Sequence, residues 1–292
     1  MRLGVHLVSF DFDGGVPAIG PTLAAFGRAA EEAAIDNISL MDHYFQMEVV
    51  GPPGLNMLEG YATLGFLAAV TSKIELQLLV TGATYRHPGL LAKIVSTVDV
   101  LSGGRVVLGI GAAWYEAEHL ALGVPFPPLA ERFERLEETL QIIRAMWSDE
   151  ESAYDGKHYQ LGRTLNRPQP LRTPQIMIGG QGERKTLRLV AQYGDACNLF
   201  ASPNGGAAAI EHKLDVLRGH CELVGTDYER IRKTITWTGP IDPRAEAREF
   251  VEATKPYADL GISDVHVMYA GTDPVAFVEN LGRTVVAALH EV

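Results

Sequence analysis

Residues 74–114 read IELQLLVTGATYRHPGLLAKIVSTVDVLSGGRVVLGIGAAW, and this stretch decides the fold. Two short apolar runs, Leu76–Val80 and Val106–Ile110, flank a segment, Leu90–Leu101, in which apolar residues recur at helical spacing. A strand, a helix and a second strand in this order predict two parallel neighbours joined by a crossover helix. Runs this rich in Val, Ile and Leu are typical of a sheet that is covered on both faces.

The same alternation of apolar run and helical segment extends along the whole chain. Eight strand–helix repeats make a (β/α)8 barrel, and 292 residues suffice for one such barrel, which typically needs about 250. The alternative is an open, doubly wound sheet, but no G-x-G-x-x-G fingerprint follows the first run. The sequence therefore predicts a single (β/α)8 TIM-barrel domain over residues 1–292, with strands at Leu3–Leu7, Ile38–Met41, Leu76–Val80, Val106–Ile110, Ile176–Ile178, Ala196–Leu199, Ile231–Trp237 and Val265–Met268.

Helical periodicity and capping residues place the helices between these strands. Thr272-Asp273-Pro274 gives the clearest start, because a capping side chain stands just before a proline at the first helical position. The predicted helices are Ala24–Ala34, Tyr61–Val70, Leu90–Leu101, Leu129–Trp147, Thr186–Gln192, Ala208–Val224, Ala245–Leu260 and Val275–Leu289.

Composition excludes several classes of protein. The formal net charge of −11 argues against nucleic acid or an anionic membrane as the main partner, because both bind basic surfaces. The 2 cysteines are too few for a disulfide framework or a cysteine zinc site. No apolar run approaches the roughly 18 residues of a membrane span, and Leu3–Leu7 is too short for a signal peptide. We therefore expect a cytoplasmic protein that acts on a small molecule.

Barrel enzymes place their chemistry at the carboxyl ends of the strands, so the residues after each run are the candidates. Asp42 and His43 follow the second run. A histidine there can exchange a proton near neutral pH, and Asp42 either holds its tautomer or binds another polar group. The alternative is a loop histidine that is hydrogen-bonded only for structure.

Small residues follow the third and fourth runs. Thr81, Gly82 and Ala83 follow the third, and Gly111, Ala112, Ala113 and then Trp114 follow the fourth. Small side chains allow a flat ring to approach the backbone, and Trp114 can stack on a ring or wall a pocket. Ordinary turns and core packing of Trp114 are the alternatives.

Glycines also follow the fifth run, where they open a helix. Gly179, Gly180, Gln181 and Gly182 precede Arg184 and Lys185. Unpaired amides at a helix start, glycines that permit close approach and added positive charge predict a phosphate site. By contrast, Leu101–Arg105 precedes a strand and therefore lies on the opposite face of the barrel. We interpret it as a glycine C-cap and tight turn that stabilise the fold and carry no chemistry. Glu116, Glu118 and His119 do not match H-E-x-x-H, and we expect no metal.

Together these motifs resemble the luciferase-like monooxygenase family, from residue 1 to about residue 290. Among its branches the sequence is most similar to the deazaflavin-dependent oxidoreductases, which use coenzyme F420, rather than to the FMN-dependent luciferases. The segments that carry the resemblance are Asp42-His43, Val80–Pro88, Leu91–Lys93, Asp99–Arg105, Leu108–Trp114, Glu118, Pro128–Arg132 and Ile178–Gly180.

The resemblance implies a luciferase-like barrel with the deazaflavin ring at the strand ends, against the third strand. It implies a backbone bulge around Leu79–Thr81, often with a non-prolyl cis peptide. The tail phosphate would bind the loop Gly179–Gly182. The cofactor-binding residues implied are Val80, Thr81, Gly82, Gly111, Ala112, Ala113, Gly179, Gly180, Gln181 and Gly182.

For the reaction, the resemblance implies hydride transfer between the ring and an organic substrate, with His43, beside Asp42, exchanging the proton. Trp114 and Tyr44 would wall the pocket. Related sugar-phosphate dehydrogenases carry a carboxylate where this chain has Trp114, and this departure argues against a sugar phosphate as substrate. The alternatives are an FMN-dependent monooxygenase and a catalytically silent flavin-binding protein. The resemblance also implies a homodimer.

Overall fold

Eight parallel strands close into a barrel in the computed structural model, which describes residues 1–201 and 206–292. The strands are β1 (Arg2–Leu7), β2 (Asn37–Leu40), β3 (Glu75–Leu78), β4 (Thr81–Gly82), β5 (Val106–Gly111), β6 (Tyr154–Asp155), β7 (Gln160–Leu161), β8 (Gln175–Gly179), β9 (Ala196–Ala201), β10 (Arg232–Trp237) and β11 (Ile262–Tyr269). The barrel order is β1, β2, β3, β5, β8, β9, β10 and β11, and β11 pairs with β1 to complete the ring.

The predicted barrel is confirmed, and all eight predicted strands are present. The largest difference lies in the third, which ends at Leu78 and resumes as β4. The Leu79–Val80 peptide between the two pieces is cis, within the segment where the bulge was expected. An ideal Cβ at Gly109 would stand 2.0 Å from the carbonyl oxygen of Leu78. Only glycine on β5 therefore allows the backbone of β3 to pass this close.

Helices cover the outside of the barrel. Asp273 caps α9 as predicted, since its side chain accepts a hydrogen bond from the amide of Ala276 at 3.0 Å. The last predicted helix is interrupted by a π-helical turn at Gly282–Val286. The helices are α1 (Ile19–Glu32), α2 (Gly60–Val70), α3 (Pro88–Ser102), α4 (Glu116–Leu122), α5 (Leu129–Met146), α6 (Thr186–Tyr193), α7 (Gly206–Val224), α8 (Ala247–Asp259), α9 (Pro274–Leu281) and α10 (Ala287–His290).

Two elements were not predicted, namely helix α4 and the β6–β7 hairpin. Both are short, and the sequence of α4 was interpreted as loop because it follows the small residues at the end of β5. None of the described helices is long and apolar enough to cross a membrane.

Ion pairs close the barrel at the amino ends of its strands. Arg232 contacts Glu75 at 2.9 Å and also pairs with Asp264, which is buried. This layer of ion pairs lies at the end of the barrel opposite the carboxyl ends of the strands.

The turn before β5 stabilises the same end, as predicted. Gly103 ends α3 with φ 73°, a left-handed conformation that suits glycine. The buried Arg105 guanidinium then donates to backbone carbonyls from three segments. Its acceptors are the carbonyl oxygens of Ser102, Ile74, Ala68 and Thr71 and the hydroxyl of Thr71.

Replacing Arg105 with methionine should lower the free energy of unfolding by about 3 kcal/mol or more, because these acceptors lose their donor while buried. Urea unfolding measures the change, and Arg28→Met, at an exposed arginine on α1, is the matched control. A loss below about 1 kcal/mol would show that water replaces the guanidinium at little cost.

Candidate active site

A cavity of about 640 Å³ opens at the carboxyl ends of the barrel strands. This size lies within the roughly 300–1,000 Å³ typical of small-molecule sites. The cavity brings together most of the site residues predicted from the sequence. They are Asp42, His43, Val80, Thr81, Gly82, Gly111, Ala112, Ala113, Trp114, Gly179 and Gly180.

Three predicted residues lie outside this lining. Gln181 and Gly182 follow Gly180 in the turn toward α6 but do not line the cavity. Tyr44, expected to wall the pocket, does not line it either, and its ring instead packs edge-on against Tyr85 with centroids 5.2 Å apart. The backbone amide of Tyr44 donates a hydrogen bond to Glu118.

Part of the cavity floor is formed by Val80 and by the glycines of the two neighbouring strand ends. An ideal Cβ at Gly179 would lie 2.7 Å from Cγ1 of Val80, and one at Gly111 would lie 3.0 Å from Cγ2 of the same residue. Gly180 has φ 120°, which L side chains rarely adopt. Val80 therefore occupies the space that side chains at positions 111 and 179 would take, and it presents an apolar surface to the cavity.

His43 is held by a carboxylate 75 positions along the chain. Its Nδ1 lies 3.2 Å from Oε2 of Glu118, which is fully buried on α4. An ionised carboxylate only accepts hydrogen bonds, so Nδ1 carries the hydrogen. Nε2 has no protein partner within residues 1–201 and 206–292, and it is the nitrogen available to a ligand.

Glu118 also fixes the loop that carries His43. It accepts hydrogen bonds from the amides of Tyr44 and Phe45 and from the hydroxyl of Tyr85. Burial acts to raise the pKa of Glu118, but the bonds from His43, Tyr85 and the two amides outweigh it and lower the pKa below its ordinary value. Glu118 therefore stays ionised while buried.

Asp42 binds another polar group rather than His43. Its carboxylate pairs with Arg86 at 2.8 and 2.9 Å and accepts the amide of Gly82 at 2.9 Å. Burial acts to lower the pKa of Arg86, but Asp42 raises it above its ordinary value. Asp42 thus ties the loop after β2 to the backbone of β4, which forms part of the cavity floor.

Arg132 on α5 supports the end of β5. Its guanidinium donates to the carbonyl oxygen of Ala113 and lies over the ring of Phe126, 4.1 Å from the centroid. Ala113 has φ 60°, an uncommon left-handed conformation for a residue with a Cβ. The next residue, Trp114, lies at the rim of the cavity and is 60% exposed. Its ring centroid is 5.7 Å from that of His43.

The glycine turn after β8 leads into α6, which begins at Thr186. Thr186 lines the cavity beside Gly180, and an ideal Cβ at Gly182 would lie 2.9 Å from its hydroxyl oxygen. Lys185 places its ammonium 5.2 Å from the centroid of Phe133, a lining residue. The helix start, the glycines and the lysine form a site that suits an anionic group.

One histidine in the floor plays no acid–base part. Burial, with a smaller contribution from the nearby His266, lowers the pKa of His6 to about 3. The Nδ1 of His6 lies 3.0 Å from the hydroxyl of Ser39. His6 is therefore a neutral member of the cavity floor near pH 7.

The chain matches the family model described as luciferase-like monooxygenase over residues 1–273. An F420-dependent glucose-6-phosphate dehydrogenase of Kineococcus radiotolerans is 30% identical over 245 residues, which cover 82% of this chain and 69% of the relative. One of Microbacterium testaceum is 34% identical over 180 residues, which cover 61% of this chain and only 52% of the relative.

The fold is shared with solved structures of low sequence identity. An F420-dependent secondary alcohol dehydrogenase, solved in complex with an F420-acetone adduct, superposes with a TM-score of 0.82. It is 15% identical, and the superposition covers 99% of this chain and 98% of that one.

Proposed function

The chain belongs to the luciferase-like monooxygenase family, and from this premise we propose that it is a coenzyme F420-dependent oxidoreductase. It transfers a hydride between the deazaflavin and a small organic substrate, while His43 exchanges the accompanying proton. The observation that carries this proposal is that Val80, flanked by Gly111 and Gly179, lines the same cavity as His43, whose ring is held by Glu118.

Residues of two regions would hold the cofactor. Val80, Gly111 and Gly179 offer the ring an uncovered surface, and the start of α6 near Gly180 offers amides and Lys185 to its anionic tail. Thr81, Gly82, Ala112 and Ala113 would complete the wall. Gln181 and Gly182, in the turn between β8 and α6, would lie next to the tail. When bound, F420 supplies the hydride chemistry, and the protein supplies orientation and electrostatics.

His43 is the proposed proton donor and acceptor. Glu118 holds Nδ1, so Nε2 takes a proton from the substrate or returns one to it. Asp42 contributes by holding Gly82 in place, and Trp114 walls the cavity and excludes water.

A titration of the purified protein with each cofactor tests the proposal. We expect F420 to bind with at least tenfold lower Kd than FMN, as followed by isothermal titration calorimetry. Tight FMN binding without F420 binding would contradict it and favour the alternative, an FMN-dependent monooxygenase. Cofactor binding without turnover of any compound would favour the other alternative, a silent flavin-binding protein.

Changing Glu118 to glutamine should lower kcat/KM by about 10- to 100-fold, because the amide cannot accept all four hydrogen bonds and His43 loses its fixed tautomer. The ¹⁵N chemical shifts of His43 should show Nδ1 protonated in the wild type and a tautomer mixture in the variant. Glu116→Gln, at an exposed position of the same helix, is the control. An unchanged tautomer in Glu118→Gln would remove this role of Glu118.

Several expectations from the sequence stay predictions. They are that residues 1–292 form a single domain, that the protein acts as a homodimer in the cytoplasm, and that neither nucleic acid nor a membrane is a partner.

A further inference from the structure

The mouth of the cavity is apolar. Five large apolar side chains from five separate segments line it while remaining exposed to solvent. They are Val49 (85% exposed), Trp114 (60%), Leu129 (56%), Phe200 (46%) and Met268 (40%). Single exposed apolar residues are normal on a protein surface, but several around one opening mark a binding site. We call these five residues the apolar mouth.

Three polar side chains that line the cavity are paired with protein groups, namely Thr81, Asn198 and Thr238. The hydroxyl of Thr81 lies 2.7 Å from that of Tyr61, and the hydroxyl of Thr238 donates to the carbonyl oxygen of Ala201 at 2.8 Å. Asn198 donates to Thr234 and accepts from Thr236, each at 2.9 Å. Each of these groups already spends at least one hydrogen bond on a protein partner, so each has less capacity left for a polar substrate.

The cavity also lacks a cation for an anionic substrate. Among the described lining residues there is no lysine or arginine, and the one carboxylate, Asp42, is paired with Arg86. Residues 202–205, Ser-Pro-Asn-Gly, lie outside the described residues and contain no basic side chain. The anion site at the start of α6 is the one proposed for the cofactor tail, so a phosphorylated substrate would lose its hydration without gaining a charged partner of its own.

We propose that the substrate is an uncharged organic molecule with one oxygen function, bound by Nε2 of His43, and an apolar body that lies against the apolar mouth. This inference rests on the proposed oxidoreductase function, and it names the substrate class of the same site. It separates this chain from the relatives named as dehydrogenases of glucose 6-phosphate, whose substrate is a polyhydroxylated anion.

A series of methyl ketones from 2-butanone to 2-nonanone tests the inference. Each added methylene should lower Kd by about two- to fourfold, because it buries apolar surface against the mouth. Calorimetry of the full-length protein, with and without F420 bound, measures the Kd values. Glucose 6-phosphate, measured in parallel, should bind more weakly than 2-nonanone by at least tenfold.

A matched pair of variants locates the effect. Met268→Ser should weaken 2-nonanone by about three- to tenfold and leave 2-butanone within twofold, because only the longer ketone reaches the mouth. Leu223→Ser, at an 83% exposed residue of α7 that does not line the cavity, should change neither value. If both serine variants changed the Kd for 2-nonanone equally, the ketone tail would not lie against the apolar mouth.

The two proposals fail separately. If F420 binds but the ketone series is flat, shows no binding or is outcompeted by glucose 6-phosphate, the substrate class is wrong and the cofactor proposal stands. If F420 does not bind but Kd still falls with ketone length, the oxidoreductase proposal is wrong and the apolar site stands.

Discussion

Replacing His43 with alanine should lower kcat/KM by about 100- to 10,000-fold, the range that a positioned acid–base group contributes. The Kd for F420 should stay within threefold of the wild-type value, because the surface proposed to bind the ring is formed by Val80, Gly111 and Gly179 and not by His43. The rate is measured with the compound that turns over fastest in a panel of ketones and alcohols, and cofactor affinity is measured by calorimetry.

The control for this variant is His212→Ala, at a histidine whose side chain is 62% exposed. His212 does not line the cavity, so the same histidine-to-alanine change there should leave the wild-type rate unchanged. Normal turnover by His43→Ala would show that the proton moves through another group or through solvent. A fall in both rate and cofactor affinity would instead place His43 in cofactor binding.

Changing Gly179 to alanine should raise the Kd for F420 by about 10- to 100-fold. The added Cβ would lie 2.7 Å from Cγ1 of Val80, so Val80 must move toward the space proposed for the ring. Overpacking of this kind typically costs about 1–3 kcal/mol. The Kd is measured by calorimetry, and the free energy of unfolding by urea.

A second variant separates this displacement from general misfolding. Val80→Ala combined with Gly179→Ala removes the Cγ atoms that the new Cβ would meet. The double variant should therefore bind F420 more tightly than Gly179→Ala alone. If the single variant binds F420 as the wild type does, the ring does not depend on this surface.

The sequence predicted the barrel well because strand and helix periodicity are local signals. All eight strands were found, and the errors lie mainly at their ends. The break between β3 and β4 came from the resemblance rather than from periodicity, since Leu76–Val80 looks like an uninterrupted strand. Helix α4 was missed because it spans only Glu116–Leu122, which is too short for a helical periodicity to be recognised.

The partners of the site residues were harder to predict, because they depend on contacts between distant segments. Asp42 stood next to His43 in the sequence, but the carboxylate that holds the imidazole is Glu118. The sequence did contain a signal, because Glu118 belongs to the motifs that carry the family resemblance. Glu118 was considered only as a possible metal ligand, and not as a partner of His43. Arg86 and Arg132 were likewise not recognised as supports of the cavity wall.

A crystal structure of the protein soaked with F420 tests the central claim most directly. We expect the ring to lie against Val80 between Gly111 and Gly179, the tail phosphate to lie at the start of α6, and His43 to keep its bond to Glu118. Density for the ring elsewhere on the protein, or a side chain filling the floor while the cofactor stays unbound, would contradict it.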